Sequence, residues 1–333
     1  MIRNKQIDGL RGITILMIMI FHIYYRYGEL FMEKSSGGLR YLGIFGSTVF
    51  LLISSYFLNN NRKKKLMNFL FSKIIRLWPC YAVSITITWV ALHFFELPGR
   101  MTTAQDYLAN LVYVNGFLGM PYVDGAHWYI TTLLAAILMV GVITCLRVEN
   151  YPITYFVLFF FEGLTKVFGF NVLNRMLGSS YIGLICFGIC IRKLKVQNYK
   201  YTNLFQFESV QMYVRKNQWF LTAVGCVIYH VARKGIVAAL CLCLALPIFL
   251  GAVNNKFSVL DKKIPQHLGK ISYPLYLMHQ NIAYTIICHL SKIDSDYVWL
   301  WKFVAFIIAI ILGEVLFFIV ERPTQELICH STH

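Results

Sequence analysis

Charge is the main shortage in this chain of 333 residues. Only 14% of the residues are Asp, Glu, Lys or Arg, whereas a soluble protein usually carries about 25%. Hydrophobic residues make up 58% of the chain, and they occur in long runs. These proportions exclude a soluble globular protein and predict an integral membrane protein.

Acidic residues are scarcer than basic ones, with 15 Asp and Glu against 31 Lys and Arg. In a soluble protein this excess would favour a nucleic-acid partner. Most of the basic residues, however, fall in segments that can be assigned to one side of a membrane, so the excess indicates topology. We therefore expect membrane lipids as partners and no nucleic acid.

The nine cysteines lack the paired spacing of disulfide frameworks and zinc sites. Most lie inside apolar runs, as Cys186 and Cys190 do, which predicts reduced thiols and no metal. A cleavable signal peptide is not expected, because the first apolar run lacks a small-residue cleavage site and contains Arg11 and His22.

The apolar runs predict an all-α polytopic membrane protein. About ten of them are long enough to cross roughly 30 Å of hydrocarbon. Their approximate centres are Met19, Leu51, Thr86, Ala136, Phe159, Leu184, Val224, Cys241, Asn281 and Ile308. The basic loops then lie on the side of the N-terminus, and the even number of spans places both termini in the cytoplasm.

Two longer loops interrupt this pattern. Residues 96–126, on the outer side, are rich in Pro and Gly and are a candidate to re-enter the membrane in part. Residues 192–217, on the inner side, are basic with aromatic residues and predict an interfacial helix. Since there are no repeats and no spare length for a second soluble domain, residues 1–333 are predicted to form one domain.

Arg11 and His22 lie eleven residues apart in the first apolar run. This is close to three turns at about 100° per residue, so both side chains project from one face, roughly 16 Å apart along the axis. Arg11 alone would be a snorkelling anchor, and His22 alone a polar link to another helix. Their joint spacing favours a functional site, because ionisable groups are costly within the membrane.

A second group of basic residues begins the third span. Lys73 and Arg76 are one turn apart and share a face at the cytoplasmic surface, which suits a polyanion such as a nucleotide phosphate. The preceding basic cluster at residues 62–65 is better explained by topology and anionic lipid.

Three carboxylates fall within apolar runs. Glu321, at the end of the last span, is predicted to be a structural clamp that pairs with a basic neighbour such as Arg76. Glu162 and Glu314 are buried in the predicted spans without an obvious partner.

Two further histidines are candidates. His279 follows the opening of the predicted ninth span and lies about as deep as His22, roughly 12 Å by helical rise, with Tyr276 about one turn above it. It is a relay partner, a ligand-binding residue or, equally, a satisfied core histidine. His127 begins the fourth span from outside and is a candidate contact for a molecule arriving there.

Together these motifs resemble the acyltransferase 3 family of integral membrane O-acyltransferases, whose bacterial members modify cell-surface glycans. The resemblance runs from the first span to the last. The matching elements are Arg-x10-His at Arg11 and His22, an "FFVISGFL"-like element at residues 49–58, an "RxxRIxPxY"-like element at 73–81, "ISYxLYLxH" at 271–279, and "ExP" at 321–323.

Three positions depart from the family pattern. Ser55 replaces the usual Gly, Lys73 replaces the first Arg, and Leu133 stands where many members carry Glu. Lys lacks the bidentate geometry of Arg, so the phosphate clamp is weaker at Lys73. The change at Leu133 indicates a subgroup with a different acceptor.

The resemblance implies transfer of an acyl group, usually acetyl, from cytoplasmic acyl-CoA to a hydroxyl of a cell-surface or lipid-linked carbohydrate. Acetyl-CoA is then the donor substrate, no cofactor is bound, and the expected location is the bacterial inner or plasma membrane as a multi-pass protein.

The resemblance also implies roles for the candidate residues. Arg11, Arg76 and Lys73 would hold the CoA phosphates, and the pantetheine arm would extend along the first helix toward His22. His22 would act as general base or carry the acyl group as acyl-imidazole. The residues left for acceptor binding or support are Tyr276, His279, His127 and Glu321.

A transporter or flippase of a glycan or lipid-linked intermediate is the alternative function. Ten spans with ionisable groups at mid-membrane would also serve as a proton relay and substrate path. Two features count against it: the halves show no inverted repeat, and the ionisable residues cluster toward the cytoplasmic face near Arg11 and Arg76.

Overall fold

The computed structural model describes residues 4–32, 37–58, 65–201 and 209–330. Within these ranges all the regular structure is helical, which confirms the all-α prediction. The α-helices are α1 (Lys5–Ile20), α2 (Tyr27–Phe31), α3 (Arg40–Phe57), α4 (Leu66–Phe95), α5 (Ala104–Leu111), α6 (Asn115–Leu118), α7 (Trp128–Cys145), α8 (Ile153–Val167), α9 (Asn171–Met176), α10 (Ile182–Tyr201), α11 (Ser209–Lys234), α12 (Ile236–Val253), α13 (Lys263–Met278), α14 (Asn281–Ile293), α15 (Val298–Leu316) and α16 (Arg322–His330).

Seven helical segments in the described part of the chain are long and apolar enough to cross a membrane. They are Lys5–Phe31, Gly37–Phe57, Leu66–Phe95, Gly125–Cys145, Asn171–Lys195, Ile236–Val253 and Val298–Ile328. A multi-pass membrane protein is therefore supported, and the count of ten stays a prediction. The other three predicted centres fall on α8, α11 and α14.

The predicted ninth span, centred on Asn281, consists of two helices, and its crossing of the membrane stays a prediction. His279 and Gln280 separate α13 from α14, and the two helices have 16 and 13 residues, each shorter than the about 20 residues that a span needs. The motif at residues 271–279 therefore lies at the end of α13. The helix stops there because two hydrogen bonds to residues outside it replace the bond that a continuous helix would make.

The two long predicted loops contain helices. The outer loop, residues 96–126, holds α5 and α6, and residues 192–201 continue α10 without a break. Within the described residues, the predicted interfacial segment thus forms the end of α10 and the start of α11. Most of the basic cluster at residues 62–65 lies outside the described residues, which resume at Lys65.

The chain divides into two compact units. The first comprises Met1–Ser47, Ser72–Tyr129 and Leu246–His333, and the second comprises Thr48–Phe71 and Ile130–Ala245. Every predicted site residue belongs to the first unit. Whether residues 1–333 act as one domain stays a prediction.

In the first unit, α1 packs on α13 through glycines. A Cβ atom added at Gly12 would lie 2.3 Å from the carbonyl oxygen of Pro265, and one added at Gly269 would lie 2.1 Å from that of Asp8. The two backbones therefore touch, as small residues permit in membrane helices. This contact positions the helix of Arg11 and His22 against α13, which ends just before His279.

Both carboxylates predicted to lack an obvious partner have one. In the second unit, the buried Glu162 is 2.6 Å from Arg233 Nη2 and accepts from Asn174 Nδ2 at 2.9 Å. In the first unit, Glu314 pairs with His267. Glu162 thus joins α8 to α9 and α11, a structural role that satisfies its buried charge.

Candidate functional site

His22 lies in a π-helical segment, Phe21–Arg26, between α1 and α2. Because α1 is α-helical as far as Ile20, the α-helical spacing that places Arg11 and His22 on one face holds until two residues before His22. A second π-helical segment, Phe317–Glu321, ends at Glu321. Such segments often occur at functional sites, and here both contain a residue that the sequence had already singled out.

The structure brings His22 and His279 together. Their ring centroids are 5.0 Å apart with an interplanar angle of 63°, and His22 Nδ1 lies 3.3 Å from the hydroxyl of Tyr284. His279 is fully buried, whereas His22 is partly accessible. Sequence reasoning missed Tyr284, although a tyrosine within an apolar helix usually needs a polar partner.

A replaced hydrogen bond produces the break between α13 and α14. In a continuous helix the N–H of Asn281 would donate to the carbonyl of Leu277. Here that N–H donates to Asp124 Oδ2 at 2.8 Å, and the Leu277 carbonyl accepts from His127 Nε2 at 3.2 Å. Two residues in the turn just before α7 therefore satisfy both backbone groups and separate the two helices.

Hydrogen bonds to two backbone carbonyls determine which nitrogen of His127 and of His279 carries hydrogen when the ring is neutral. A carbonyl only accepts, so His127 carries hydrogen on Nε2, and His279, whose Nδ1 is 2.7 Å from the Tyr276 carbonyl, carries it on Nδ1. Among the described residues, His127 Nδ1 and His279 Nε2 have no hydrogen-bond partner and are buried. Each offers a lone pair that can accept a proton or a substrate hydrogen bond.

Tyr276 supports this arrangement. Its hydroxyl donates to the carbonyl of Ala126, and its ring lies 5.6 Å from that of His279 and 5.3 Å from that of Tyr129, centroid to centroid. The polar atom of Tyr276 is therefore engaged with the start of α7. Tyr276 and His127 therefore both link the residues around His279 to the turn before α7.

Near the Arg11 end of the first helix, Glu321 is buried and interacts electrostatically with Arg11 and Arg76. Its Oε1 accepts from Gln325 at 2.8 Å, and its Oε2 has no hydrogen-bond partner in the described part of the chain. The expected direct pair with Arg76 is replaced by interaction with two arginines. Lys73, which is partly buried, lies one turn before Arg76 on α4.

The arrangement thus contains a basic group around Glu321 and a His–Tyr–His cluster of His22, Tyr284 and His279, connected by the first helix. It is suited to holding a polyanion at one end and moving a proton or an acyl group at the other.

Comparison with known proteins agrees with this chemistry. Residues 4–319 match the family model described as "Acyltransferase domain", which covers nearly the whole chain and both compact units. No curated protein and no solved structure matches the chain. The resemblance drawn from the five motifs is confirmed: the chain belongs to the acyltransferase 3 family of membrane acyltransferases.

Proposed function

We propose that this protein transfers an acyl group, acetyl in the first instance, from acyl-CoA to a hydroxyl of a carbohydrate acceptor. The observation that carries the proposal is the position of His22 in the His–Tyr–His cluster on the same helix as Arg11. The roughly 16 Å of helix between them is about the length of an extended pantetheine arm. CoA phosphates held by Arg11, Arg76 and Lys73 would therefore bring the thioester to His22.

In a direct transfer, His22 removes the proton of the acceptor hydroxyl. The hydroxyl oxygen forms a bond to the thioester carbonyl carbon, the carbon–sulfur bond breaks, and the proton passes to the departing thiolate. Tyr284 holds the imidazole through Nδ1. The partly accessible ring of His22 favours it over the fully buried His279 as the group that meets the substrate.

In a two-step transfer, a ring nitrogen of His22 bonds to the thioester carbon, the carbon–sulfur bond breaks, and the ring proton of His22 passes to the departing thiolate. The acceptor hydroxyl then bonds to the acyl carbon and the carbon–nitrogen bond to His22 breaks. An acylated His22 cannot serve as base, so the hydroxyl proton passes through the lone pair on His279 Nε2 to the released imidazole. The ring centroids of His22 and His279 lie 5.0 Å apart, a separation that supports this route.

We further propose ten membrane crossings with both termini in the cytoplasm, in the inner or plasma membrane of a bacterium. The ten crossings need α8, α11 and the broken α13–α14 pair in addition to the seven apolar segments. The donor then binds from the cytoplasm at Arg11. A cell-surface or lipid-linked glycan is the proposed acceptor, bound near His127, Tyr276 and His279.

The test is acyl transfer by purified protein in liposomes with radiolabelled acetyl-CoA. We expect His22→Ala to reduce turnover by about 10²- to 10⁴-fold, the range of general acid–base catalysis. His93→Ala is the matched control, because His93 is exposed and its Nδ1 contacts only the carbonyl of Trp89 on its own helix. Equal turnover by wild type and His22→Ala would refute the proposal.

If the wild type neither binds nor turns over acetyl-CoA, transport becomes the better explanation. Glycan flux across the liposome membrane in the absence of CoA would then be measured with the same protein.

A further inference from the structure

A half-buried arginine, Arg100, lies next to the histidine cluster in the segment between α4 and α5. A Cβ added at Gly125 would be 3.3 Å from Arg100 Nη1 and 3.1 Å from Gln280 Nε2. The guanidinium and the amide therefore converge over the backbone of Gly125. Any side chain at that position would crowd both groups.

Gln280 connects this pair to His22. It lies in the break between α13 and α14, is 3% exposed, and its side chain acts on the phenol of Tyr284, which in turn lies 3.3 Å from His22 Nδ1. Gln280 Oε1 has no hydrogen-bond partner among the described residues. A buried amide oxygen of this kind is an acceptor that a substrate hydroxyl would satisfy.

Arg100 is a cation in this region without an anion of its own. Its side chain has no hydrogen bond or ion pair within the described ranges, although it acts electrostatically on His22 and Tyr284. The neighbouring Arg26 is paired with Glu29. The carboxylate of Asp124 accepts the backbone N–H groups of Ala126 and Asn281.

We infer that Arg100 and Gln280 form the acceptor subsite and that the acceptor is an acidic sugar whose anionic group pairs with Arg100. The inference rests on the proposed acyl transfer. A guanidinium binds a carboxylate or a phosphate through two parallel hydrogen bonds, so it orients the sugar ring as well as attracting it. Gln280 Oε1 accepts from one ring hydroxyl, and another hydroxyl is presented to His22.

The experiment compares three sugar probes. Methyl β-D-glucoside is neutral, methyl β-D-glucuronide carries a carboxylate, and methyl β-D-glucoside 6-phosphate carries a phosphate. Transfer from acetyl-CoA is measured for wild type, Arg100→Gln, Arg100→Lys and Arg40→Gln. Arg40 is the matched control, since it is an exposed arginine at the start of α3.

We expect the wild type to prefer one of the charged probes over the neutral one by about tenfold or more in kcat/KM, the size of effect expected from a charge-assisted bidentate pair. The preferred probe distinguishes a carboxylate from a phosphate acceptor. Arg100→Gln should remove the preference through KM, Arg100→Lys should restore part of it, and Arg40→Gln should retain it. Equal kcat/KM for all three probes in the wild type, or an unchanged preference in Arg100→Gln, would overturn the inference.

Binding separates this inference from the proposed function. If no probe is acylated, equilibrium binding of the radiolabelled glucuronide and sugar phosphate is measured directly. Binding that is present in wild type and His22→Ala but lost in Arg100→Gln would support the subsite whether or not the protein transfers acyl groups. No binding of either charged probe to the wild type would overturn the subsite as well.

Discussion

His22 and His279 differ in their hydrogen bonds and in their exposure. His279 is fully buried, and its Nδ1–H is held by the carbonyl of Tyr276, so its free nitrogen is Nε2. His22 is partly accessible, and its Nδ1 faces the hydroxyl of Tyr284. His279 is therefore oriented to accept a proton on Nε2, and His22 is accessible to a substrate.

The bond between Tyr284 and His22 can be removed alone. We expect Tyr284→Phe to lower kcat by about three- to tenfold, since a neutral hydrogen bond contributes about 0.5–1.5 kcal/mol. Tyr27→Phe is the control, because Tyr27 bonds to Cys288 and its ring lies 5.8 Å from that of Tyr284. A kcat in Tyr284→Phe equal to that of Tyr27→Phe would mean that the hydroxyl does not hold His22 during catalysis.

Donor binding is tested at Arg76. Because this arginine is exposed and acts on Glu321 beside Arg11, we expect Arg76→Ala to raise the KM for acetyl-CoA by about three- to tenfold, somewhat less than a fully buried charged hydrogen bond would give. Lys256→Ala, an exposed basic residue in the loop before α13, should leave KM unchanged. An unchanged KM for acetyl-CoA in Arg76→Ala would mean that Arg76 serves membrane topology and does not bind the donor.

Among the helices, the break between α13 and α14 depends on Asp124. We expect Asp124→Ala to lower the free energy of unfolding by about 1–3 kcal/mol, because the buried N–H of Asn281 loses its acceptor. We also expect it to reduce acyl transfer, because the break that positions His279 is weakened. Asp124→Asn keeps one acceptor oxygen and should be intermediate. The measurement is the thermal unfolding midpoint in detergent, together with turnover.

The control for this series is Asp296→Ala, since Asp296 is exposed in the turn before α15. If Asp124→Ala unfolds at the same temperature as Asp296→Ala, the break does not need the carboxylate.

The contact between α1 and α13 leaves no room for a methyl group. We expect Gly12→Ala to destabilise the protein by about 1–3 kcal/mol, the usual cost of overpacking, because the new Cβ would lie 2.3 Å from the Pro265 carbonyl. Gly38→Ala is matched to it, since no atom lies within 4 Å of a Cβ there. Equal melting temperatures for the two variants would contradict the close packing of α1 on α13.

Sequence reasoning could find the helices and the motif residues because their signals are local. Long apolar runs, the spacing of Arg11 and His22, and Glu321 before a proline can each be recognised within one segment. The break at His279 could not be found this way, since it is made by Asp124 and His127, which lie about 150 residues earlier. Arg100 was overlooked for the same reason: only the folded chain brings it to Gly125 and Gln280.

On the scale of the whole molecule, the predicted chemistry belongs to the first compact unit, which is built from three separate parts of the chain. The second unit is held by its own buried ion pair between Glu162 and Arg233. The family match, residues 4–319, extends over both units. The second unit is therefore part of the family's common architecture.

Topology is tested by a green fluorescent protein fused to the C-terminus. Ten crossings with a cytoplasmic N-terminus predict a fluorescent fusion, whereas crossing by only the seven apolar segments would export the reporter and leave it dark. A fusion to residue 33, after the first span, should be dark in either case and serves as the control. A dark C-terminal fusion would therefore contradict the even count.

The glycine contact between α1 and α13 also imposes an order on biosynthesis. Gly12 is made near the start of translation, but its partners Pro265 and Gly269 follow only after both segments of the second unit. At about 5–20 residues per second, the first helix waits roughly 10 to 50 s for its partner. A nascent chain that stops before α13 already contains His22 but leaves the glycine face of its helix uncovered.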